Sequence, residues 1–431
     1  MKRLVLMALM CIGIAKAEAQ VLTLEEAINI ALKNSMDIEI ARNNVAASEI
    51  SNHMSFAGGL PVISGSLTDN QSLTNLNQKL SNGTSTNRNG NSNNALNAGI
   101  DVDFLVFNGY RVKATKSRLE VLEAQSRQLV NVQIQNIIAD VMVKYYDIVR
   151  QHSYMNTIQQ SIVVTQQRKN IIDARQSVGL ANNADSYQAL LDLNAAQQEL
   201  QSQELVLTQA KADLMNLLTQ RPDSSFIIRD TIVVDSLLNF SAVKENIKNN
   251  PELLSAEQQI QVNELIVKEI GALRYPAVSV NTGYNYSRSQ NAAGFTLLNQ
   301  NKGPFVGFGL QVPIFNGGLY KRQQRIAEID IKNATSSRQI LYNNLQTSAE
   351  KAWQAYRNSL QRLQSEKENN RIAADLLNLT LQRFELSAAT IIEVREAQRS
   401  FIEAGYRLVN LAYSAKVAEV ELKRLGSQLG M

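Results

Sequence analysis

The sequence predicts a mainly α-helical protein with a membrane β-barrel, built as a tandem duplication of a strand pair followed by a long helical hairpin. The duplication is visible in the tripeptide Phe-Asn-Gly at 107–109, which recurs 208 positions later at 315–317. Segments 110–221 and 319–431 contain no proline, as expected of long helices. Segments of about ten residues that alternate apolar and polar side chains precede both tripeptides, which is typical of transmembrane barrel strands.

Residues 1–19 have the pattern of a secretory signal peptide, with a basic start, an apolar run from Leu4 to Ala15 and small residues around Ala17. The apolar run is too short to cross a bilayer as a helix. Cys11 is the only cysteine, and it lies inside this segment, too early for a lipid-anchor position. We therefore expect a processed chain without thiol, disulfide or lipid.

The charge of the chain indicates no nucleic-acid partner. Removal of Lys2, Arg3 and Lys16 with the signal peptide lowers the formal charge from +4 to about +1, or to +2 if Glu18 is also removed, so the basic isoelectric point carries no such meaning. The processed chain also contains no run of 18 apolar residues, and we expect no transmembrane helix.

Each repeat opens with an amphipathic helical segment, 22–53 in the first and 240–273 in the second. Asn34 and the pair before Pro251 interrupt these segments. Pro61 and Pro276 end them, because proline cannot continue a helix and suits the first residue of a strand.

The strands that follow are amphipathic. They are predicted at about 61–69, 99–107, 276–287 and 304–315. The connection 70–97, with ten asparagines, is predicted as a long mobile polar loop, and 287–302 as a shorter one. Long loops at one end of the strands favour an outer-membrane barrel over two half-buried hairpins of a soluble sheet.

Four strands cannot close a barrel, and an open sheet edge would leave backbone groups unpaired in lipid. The chain must therefore assemble. Two copies would give an eight-stranded barrel filled by side chains, whereas three would give twelve strands and room for a passage. A trimer follows if the interior conducts.

The strand pairs lead into helical hairpins at 110–218 and 318–426. At about 1.5 Å per residue, the first helix, 110–176, is about 100 Å long. A seven-residue seam in the returning helix predicts coiled-coil packing, and it consists of Leu193, Leu200, Leu207 and Leu214. The chain is thus divided into a first repeat at 20–220, a connector at 221–239 and a second repeat at 240–431.

Short motifs at the hairpin ends carry a family resemblance. The first tip has Val178-Gly179-Leu180 followed by Asp185, and the second has Phe-Glu-Leu-Ser at 384–387 followed by Ile-Ile-Glu-Val at 391–394. With the run Pro-Ile-Phe-Asn-Gly-Gly before the second hairpin, these features resemble the TolC family of outer-membrane efflux proteins over essentially the whole processed chain.

The resemblance implies a homotrimer with a 12-stranded β-barrel continuous with a 12-helix tunnel across the periplasm. It also implies a passive exit duct for drug efflux or type I secretion, in contact with outer-membrane lipid. An inner-membrane pump of the RND or ABC type and a periplasmic adaptor protein are the implied partners, and no cofactor is implied.

Two sets of site residues follow from the matching motifs. Glu393 and Glu396 share one helix face and match positions where the family places acidic residues at the periplasmic entrance, which implies a cation-attracting constriction in a trimer. The tips that would dock the adaptor comprise Val178, Gly179, Leu180, Asp185, Leu386 and Ser387. Ser387 replaces the family's usual glycine, so the contacts that close the entrance are expected to differ here.

No enzyme is predicted. The two histidines, His53 and His152, lie in separate helical segments, and no metal-ligand spacing is present. The alternative from another class is a structural or adhesive coiled-coil protein anchored by a small trimeric barrel. The sequence does not identify the cargo or the pump.

Overall fold

A computed structural model describes residues 20–222 and 226–429, so the predicted signal peptide lies outside the described residues. The chain forms two compact units. One contains the chain through Arg42, Gln128–Leu254 and the chain from Ile340 onward, and the other contains Asn43–Arg127 and Ser255–Gln339. The units therefore do not follow the repeats, because each one is built from corresponding parts of both copies.

In each repeat, two short helices are followed by two long ones. In chain order they are α1 (Leu24–Asn34), α2 (Met36–Ser51), α3 (Arg111–Ser177), α4 (Asn183–Leu217), α5 (Phe240–Asn246), α6 (Pro251–Ala272), α7 (Leu319–Glu385) and α8 (Ile391–Leu425). The two outgoing helices, α3 and α7, have 67 residues each, and the two returning helices, α4 and α8, have 35 each. Equal lengths in both copies agree with the constant offset of the repeat.

The second unit contains a four-stranded antiparallel sheet. Its strands are β2 (Val62–Lys79), β3 (Ser85–Asn108), β5 (Ala277–Asn291) and β6 (Leu298–Gln311), in the order β2-β3-β5-β6. Two very short strands, β1 (Gln20–Val21) and β4 (Phe226–Ile227), pair in parallel in the other unit.

The prediction of a long mobile loop at 70–97 is wrong. Strand β2 continues to Lys79, β3 begins at Ser85, and the two remain paired almost to the turn between them. The many asparagines of 70–97 favour a loop by composition, but a ribbon with exposed faces accepts polar side chains because its backbone groups pair with one another. The loop predicted at 287–302 likewise shortens to 292–297.

One face of the sheet is apolar and the other is small or polar. On the apolar face, Val280 lies between Phe104 on β3 and Phe308 on β6. On the opposite face, Asn281 lies between Asp103 and Gly307. Val306 and Phe308 are exposed, and a contiguous exposed apolar surface of this kind marks an interaction or membrane surface.

The largest core of the first unit fixes the base of the first hairpin. Tyr145 and Leu214 are fully buried in one cluster between α3 and α4. The hydroxyl of Tyr145 donates to the carbonyl of Leu22 at 3.0 Å and also contacts the carboxylate of Asp230. This side chain therefore ties both the start of the described chain and the connector to α3.

The predicted seven-residue seam is confirmed in the first hairpin. Leu193, Leu207 and Leu214 are buried and Leu200 is half-buried, whereas Leu205 beside the seam is exposed. In the second hairpin the seam continues through buried Leu422, which packs with fully buried Tyr356 of α7.

Among the described residues, no helix is both long enough and apolar enough to cross a membrane.

Candidate functional site at the hairpin tips

The first tip is a tight helix-ending turn. The amide of Leu180 donates to the carbonyl of Arg175 at 2.8 Å, and the amide of Gly179 donates to that of Gln176 at 3.0 Å. Gly179 has a φ of 80°, the left-handed conformation that glycine adopts without steric cost. The turn thus accounts for the glycine that the sequence places there.

The second tip has the same geometry without the glycine. The amide of Ala388 donates to the carbonyl of Arg383 at 2.7 Å, and the amide of Ser387 donates to that of Phe384 at 3.1 Å. Ser387 has a φ of 61°, which costs a residue with a Cβ about 1–2 kcal/mol. Both copies therefore have the same turn, but the second lacks the residue best suited to it.

Asp185 and Glu393 lie in the first turn of the returning helices. The amide of Asp185 donates to the side chain of Asn182 at 2.9 Å, and the amide of Glu393 donates to the hydroxyl of Thr390 at 3.2 Å. Each carboxylate accepts in return from the backbone amide of its cap residue, which completes a capping box in both tips. The sequence analysis predicts docking for Asp185 and a constriction for Glu393, but it does not predict this capping role.

Apolar side chains project from both turns. Val178, Leu180 and Leu386 are 69%, 77% and 80% exposed. Gly179 also has nothing within 4 Å of the position that a Cβ would occupy. The predicted docking residues of the two turns therefore form exposed, partly apolar tips. Asp185 differs from them, because its carboxylate is bonded within the capping box.

A small core lies below the two turns and joins them. Ile172 and Ala189 of the first hairpin are buried with Leu381, Phe384 and Val394 of the second. The guanidinium carbon of Arg175 lies 4.5 Å from the centre of the Phe384 ring, and this side chain also donates to the Phe384 carbonyl. A cation at the carboxyl end of α7 is favoured by the helix dipole.

A buried polar layer follows further along the hairpins. Arg168 of α3 is 1% exposed and donates to the carboxylate of Asp192 in α4 at 2.5 Å. Burial lowers the pKa of Arg168, with Asp192 opposing this effect and Arg395 adding to it. Removal of Asp192 would leave a buried, uncompensated cation, which is a large cost in a folded protein.

Gln398 of α8 joins this layer from the second hairpin. Its amide nitrogen donates to the carbonyl of Ser161 at 3.1 Å and to the hydroxyl of Thr165 at 2.7 Å. The layer therefore connects three helices through hydrogen bonds, and sequence reasoning missed it. Arg168 and Asp192 lie at equal distances in sequence on either side of Leu180 at the turn. In a helical hairpin this spacing places the two side chains at the same level, and it could have indicated the ion pair.

Glu396, the second predicted constriction residue, lies one turn along α8 from Glu393. Its side chain is exposed, and within the part of the chain that the structure describes it makes no hydrogen bond or ion pair. The neighbouring cation, Arg399, is paired with Glu403 at 2.9 Å. Of the two predicted carboxylates, Glu396 is thus the one that is not bound in a cap, and Arg399 is the cation with which its charge interacts.

No group of three or more histidine, cysteine, aspartate or glutamate side chains suited to a metal ion occurs in residues 20–222 and 226–429.

The architecture indicates the class of protein to which the chain belongs. Paired amphipathic strands and equal helical hairpins, both made from a tandem repeat, characterise the TolC-like proteins. The crystal structure of the outer membrane protein VceC from Vibrio cholerae is similar over 94% of this chain and 95% of that one, with a TM-score of 0.78 and 17% sequence identity. At this identity the likeness shows the shared fold.

The model of the outer membrane efflux protein family matches residues 27–220 and 242–426. The chain therefore belongs to the outer membrane efflux protein family, and it is an outer-membrane protein, as the sequence motifs predicted. The two matched segments lie within the two predicted repeats.

Two curated relatives are similar in sequence. The cation efflux system protein CusC of Escherichia coli (strain K12) is 23% identical over 410 residues, which are 92% of this chain and 84% of that protein. The probable outer membrane lipoprotein SilC of Salmonella typhimurium is 26% identical over 181 residues, which are 40% of this chain and 37% of that protein. The chain thus matches little more than a third of the Salmonella relative.

We predict that the two turns respond in opposite directions to exchange of their central residues. Ser387→Gly should stabilise the second turn and Gly179→Ala should destabilise the first, each by about 1 kcal/mol, because only glycine adopts a positive φ freely. Hydrogen–deuterium exchange of the tip peptides measures this as slower exchange at Ala388 and faster exchange at Leu180. Ser387→Ala, which keeps the Cβ, is the control and should resemble the unmodified chain.

The second tip should also depend on pH. The backbone amide of Thr390 and then its hydroxyl donate to the carboxylate of Glu393 and lower the pKa of Glu393 below its usual 4.5. A lowered folded-state pKa contributes stability above about pH 4.5, and this stability is lost as the pH falls through the lowered value. The ratio of exchange rates between Glu393→Gln and the unmodified chain at peptide 386–396 should therefore approach one in acid, and a constant ratio would contradict the cap.

Proposed function

We propose that the chain is a passive exit duct, through which an inner-membrane pump and a periplasmic adaptor send substrates across the periplasm and the outer membrane. Membership of the outer membrane efflux protein family carries this proposal. The sheet with one exposed apolar face and the paired hairpins support it. Such a role requires no catalytic group, and the cargo would be chosen by the pump.

We further propose that three copies assemble into a 12-stranded barrel with a 12-helix tunnel. The sheet of one copy ends in β2 on one side and β6 on the other, and such edges must be paired in lipid. Just after β6, Ile314 and Phe315 are 94% and 89% exposed. Side chains of this size so fully exposed favour cover by a neighbouring copy.

The proposed constriction depends mainly on Glu396. In a trimer it would contribute three exposed carboxylates to the tip end of the tunnel, and rings of carboxylates attract cations in other pores. Glu393 lies on the same face but is committed to Thr390, so its contribution to selectivity would be smaller.

We predict that Glu396→Gln lowers the permeability of cations relative to anions and weakens block by divalent cations, because it removes three negative charges from the entrance. Single-channel conductance in a planar bilayer measures both effects. Glu204→Gln, an exposed carboxylate of α4 remote from the tip, is the matched control. Unchanged selectivity in Glu396→Gln would contradict the constriction, and absence of any conductance would favour the adhesive alternative over the duct.

The exposed tips are the proposed docking surface for the adaptor. Leu180 and Leu386 project into solvent from the two turns, and the turn at Gly179 leaves room for a close approach. A helical partner would bury these side chains in its own groove.

A photo-reactive amino acid at Leu180 or Leu386 should therefore cross-link a periplasmic adaptor in intact cells, as identified by mass spectrometry of the adduct. The same group at Leu205, which is exposed on α4 away from the turn, is the matched control and should capture little. Adducts formed with the same partner and yield at all three positions would argue against docking at the tips.

A further inference from the structure

The apolar face of the sheet has a defined height. On β5 it runs from Val278 through Val280, Thr282 and Tyr284 to Tyr286. This stretch is about 26 Å of strand at about 3.3 Å per residue. The apolar band of outer-membrane barrels is about 25 Å tall and their strands tilt by about 35–45°, so this stretch covers about 20 Å of that height and the boundary falls between Tyr286 and Arg288.

The first cations of the apolar face occur at this end. Lys302 lies opposite Tyr286 in the β5–β6 register, and Arg288 follows Tyr286 on the same face of β5. The two are diagonal neighbours, about 7 Å apart at their Cα atoms. Both side chains are exposed, so both can reach a single group above the sheet.

Tyr286 and Gln300 complete the boundary. The amide of Gln300, which lies opposite Arg288, donates to the hydroxyl of Tyr286 at 3.0 Å. An aromatic ring with its polar end bonded at the edge of an apolar band is the usual arrangement where a membrane meets water. The two cations thus lie at the level of lipid headgroups.

Acidic side chains of the sheet do not neutralise this pair. Among the described strand residues of this sheet, Asp69 is the acid on the apolar face, since Asp101 and Asp103 point to the other side. Asp69 and Arg288 both lie opposite Leu96, which separates them by two strand spacings, about 10 Å. The carboxylate of Asp69 accepts instead from Asn94 at 2.8 Å and from Gln71 at 3.2 Å.

Arg288 has one polar partner, the side chain of Gln290 at 3.0 Å. The side chain of Lys302 makes no hydrogen bond or ion pair to any residue that the structure describes, although its backbone lies in the β5–β6 ladder. Two cations at the edge of a low-dielectric band interact strongly with an anion that shares their level. Arginine and lysine both bind phosphate, the former through a planar pair of donors.

We propose that Arg288 and Lys302 form a binding site for the phosphate groups of anionic lipid headgroups. The site holds the upper boundary of the sheet at the membrane surface. This inference rests on the proposed membrane-spanning role of the sheet, and it adds a lipid partner of stated chemistry and the two side chains that recognise it.

The test uses the full processed chain purified in detergent and titrated with diphosphoryl lipid A, followed by native mass spectrometry. Arg288→Gln combined with Lys302→Gln should weaken lipid binding by about tenfold to thirtyfold. Each basic residue near an anionic lipid surface strengthens binding by about threefold to fivefold, and this variant removes two. Binding of a zwitterionic lipid, phosphatidylethanolamine, should be unchanged.

The matched control combines Arg325→Gln with Lys332→Gln, which removes the same two charges from exposed positions on α7. This variant should bind diphosphoryl lipid A like the unmodified chain. Equal losses in both double variants would overturn the site, because they would show only a net-charge effect.

Two further outcomes would also overturn the proposal. Competition by millimolar inorganic phosphate would show a site for free phosphate rather than for lipid. Loss of the trimer in Arg288→Gln with Lys302→Gln, with lipid binding retained, would show that these cations pair with a neighbouring copy. Bilayer conductance of the same preparations tests the duct separately, so failure of the lipid site is distinguishable from failure of the proposed function.

Discussion

A helix of 67 residues is stabilised along its length only where one of its sides packs against a partner. In the first hairpin this burial comes from the seven-residue seam of α4, from Leu193 to Leu214, together with Ala210. The returning helix of the second hairpin buries more of its surface, including Ala404, Ala415 and Leu422. Several large apolar side chains of α4, among them Tyr187, Leu191 and Leu205, stay exposed. Because the seam covers only part of this helix, the ends of the hairpins are held by further contacts.

Those contacts differ between the base and the tips. At the base, the hydroxyl of Tyr145 ties α3 to Asp230 of the connector, and fully buried Glu419 of α8 accepts from the connector amide of Asp235 at 3.0 Å. At the tips, a small apolar core and the polar layer around Arg168 join the two hairpins. A buried ion pair adds little net stability but is costly to break, so the layer at Arg168 specifies how the hairpins align.

The duplication explains why the two tips share a fold and differ in detail. Both end their outgoing helix in a left-handed residue and start the returning helix with a capping box. The sequence placed Glu393 at the entrance by family resemblance, but it did not show that the carboxylate is turned back on Thr390. It also took 70–97 for a loop, since polar composition by itself does not separate a solvated ribbon from a mobile segment.

The sequence by itself determined the repeat, the order of strands and hairpins, the seven-residue seam and the family, because periodicity and motif spacing are local properties of the chain. Tertiary structure decided that Glu393 and not Glu396 is held in a cap, how Arg168 is paired, and that each compact unit takes parts of both repeats. It also decided that Lys302 and Arg288 are neighbours at the edge of the apolar face. These features depend on register and on contacts between residues far apart in the chain, which no local pattern contains.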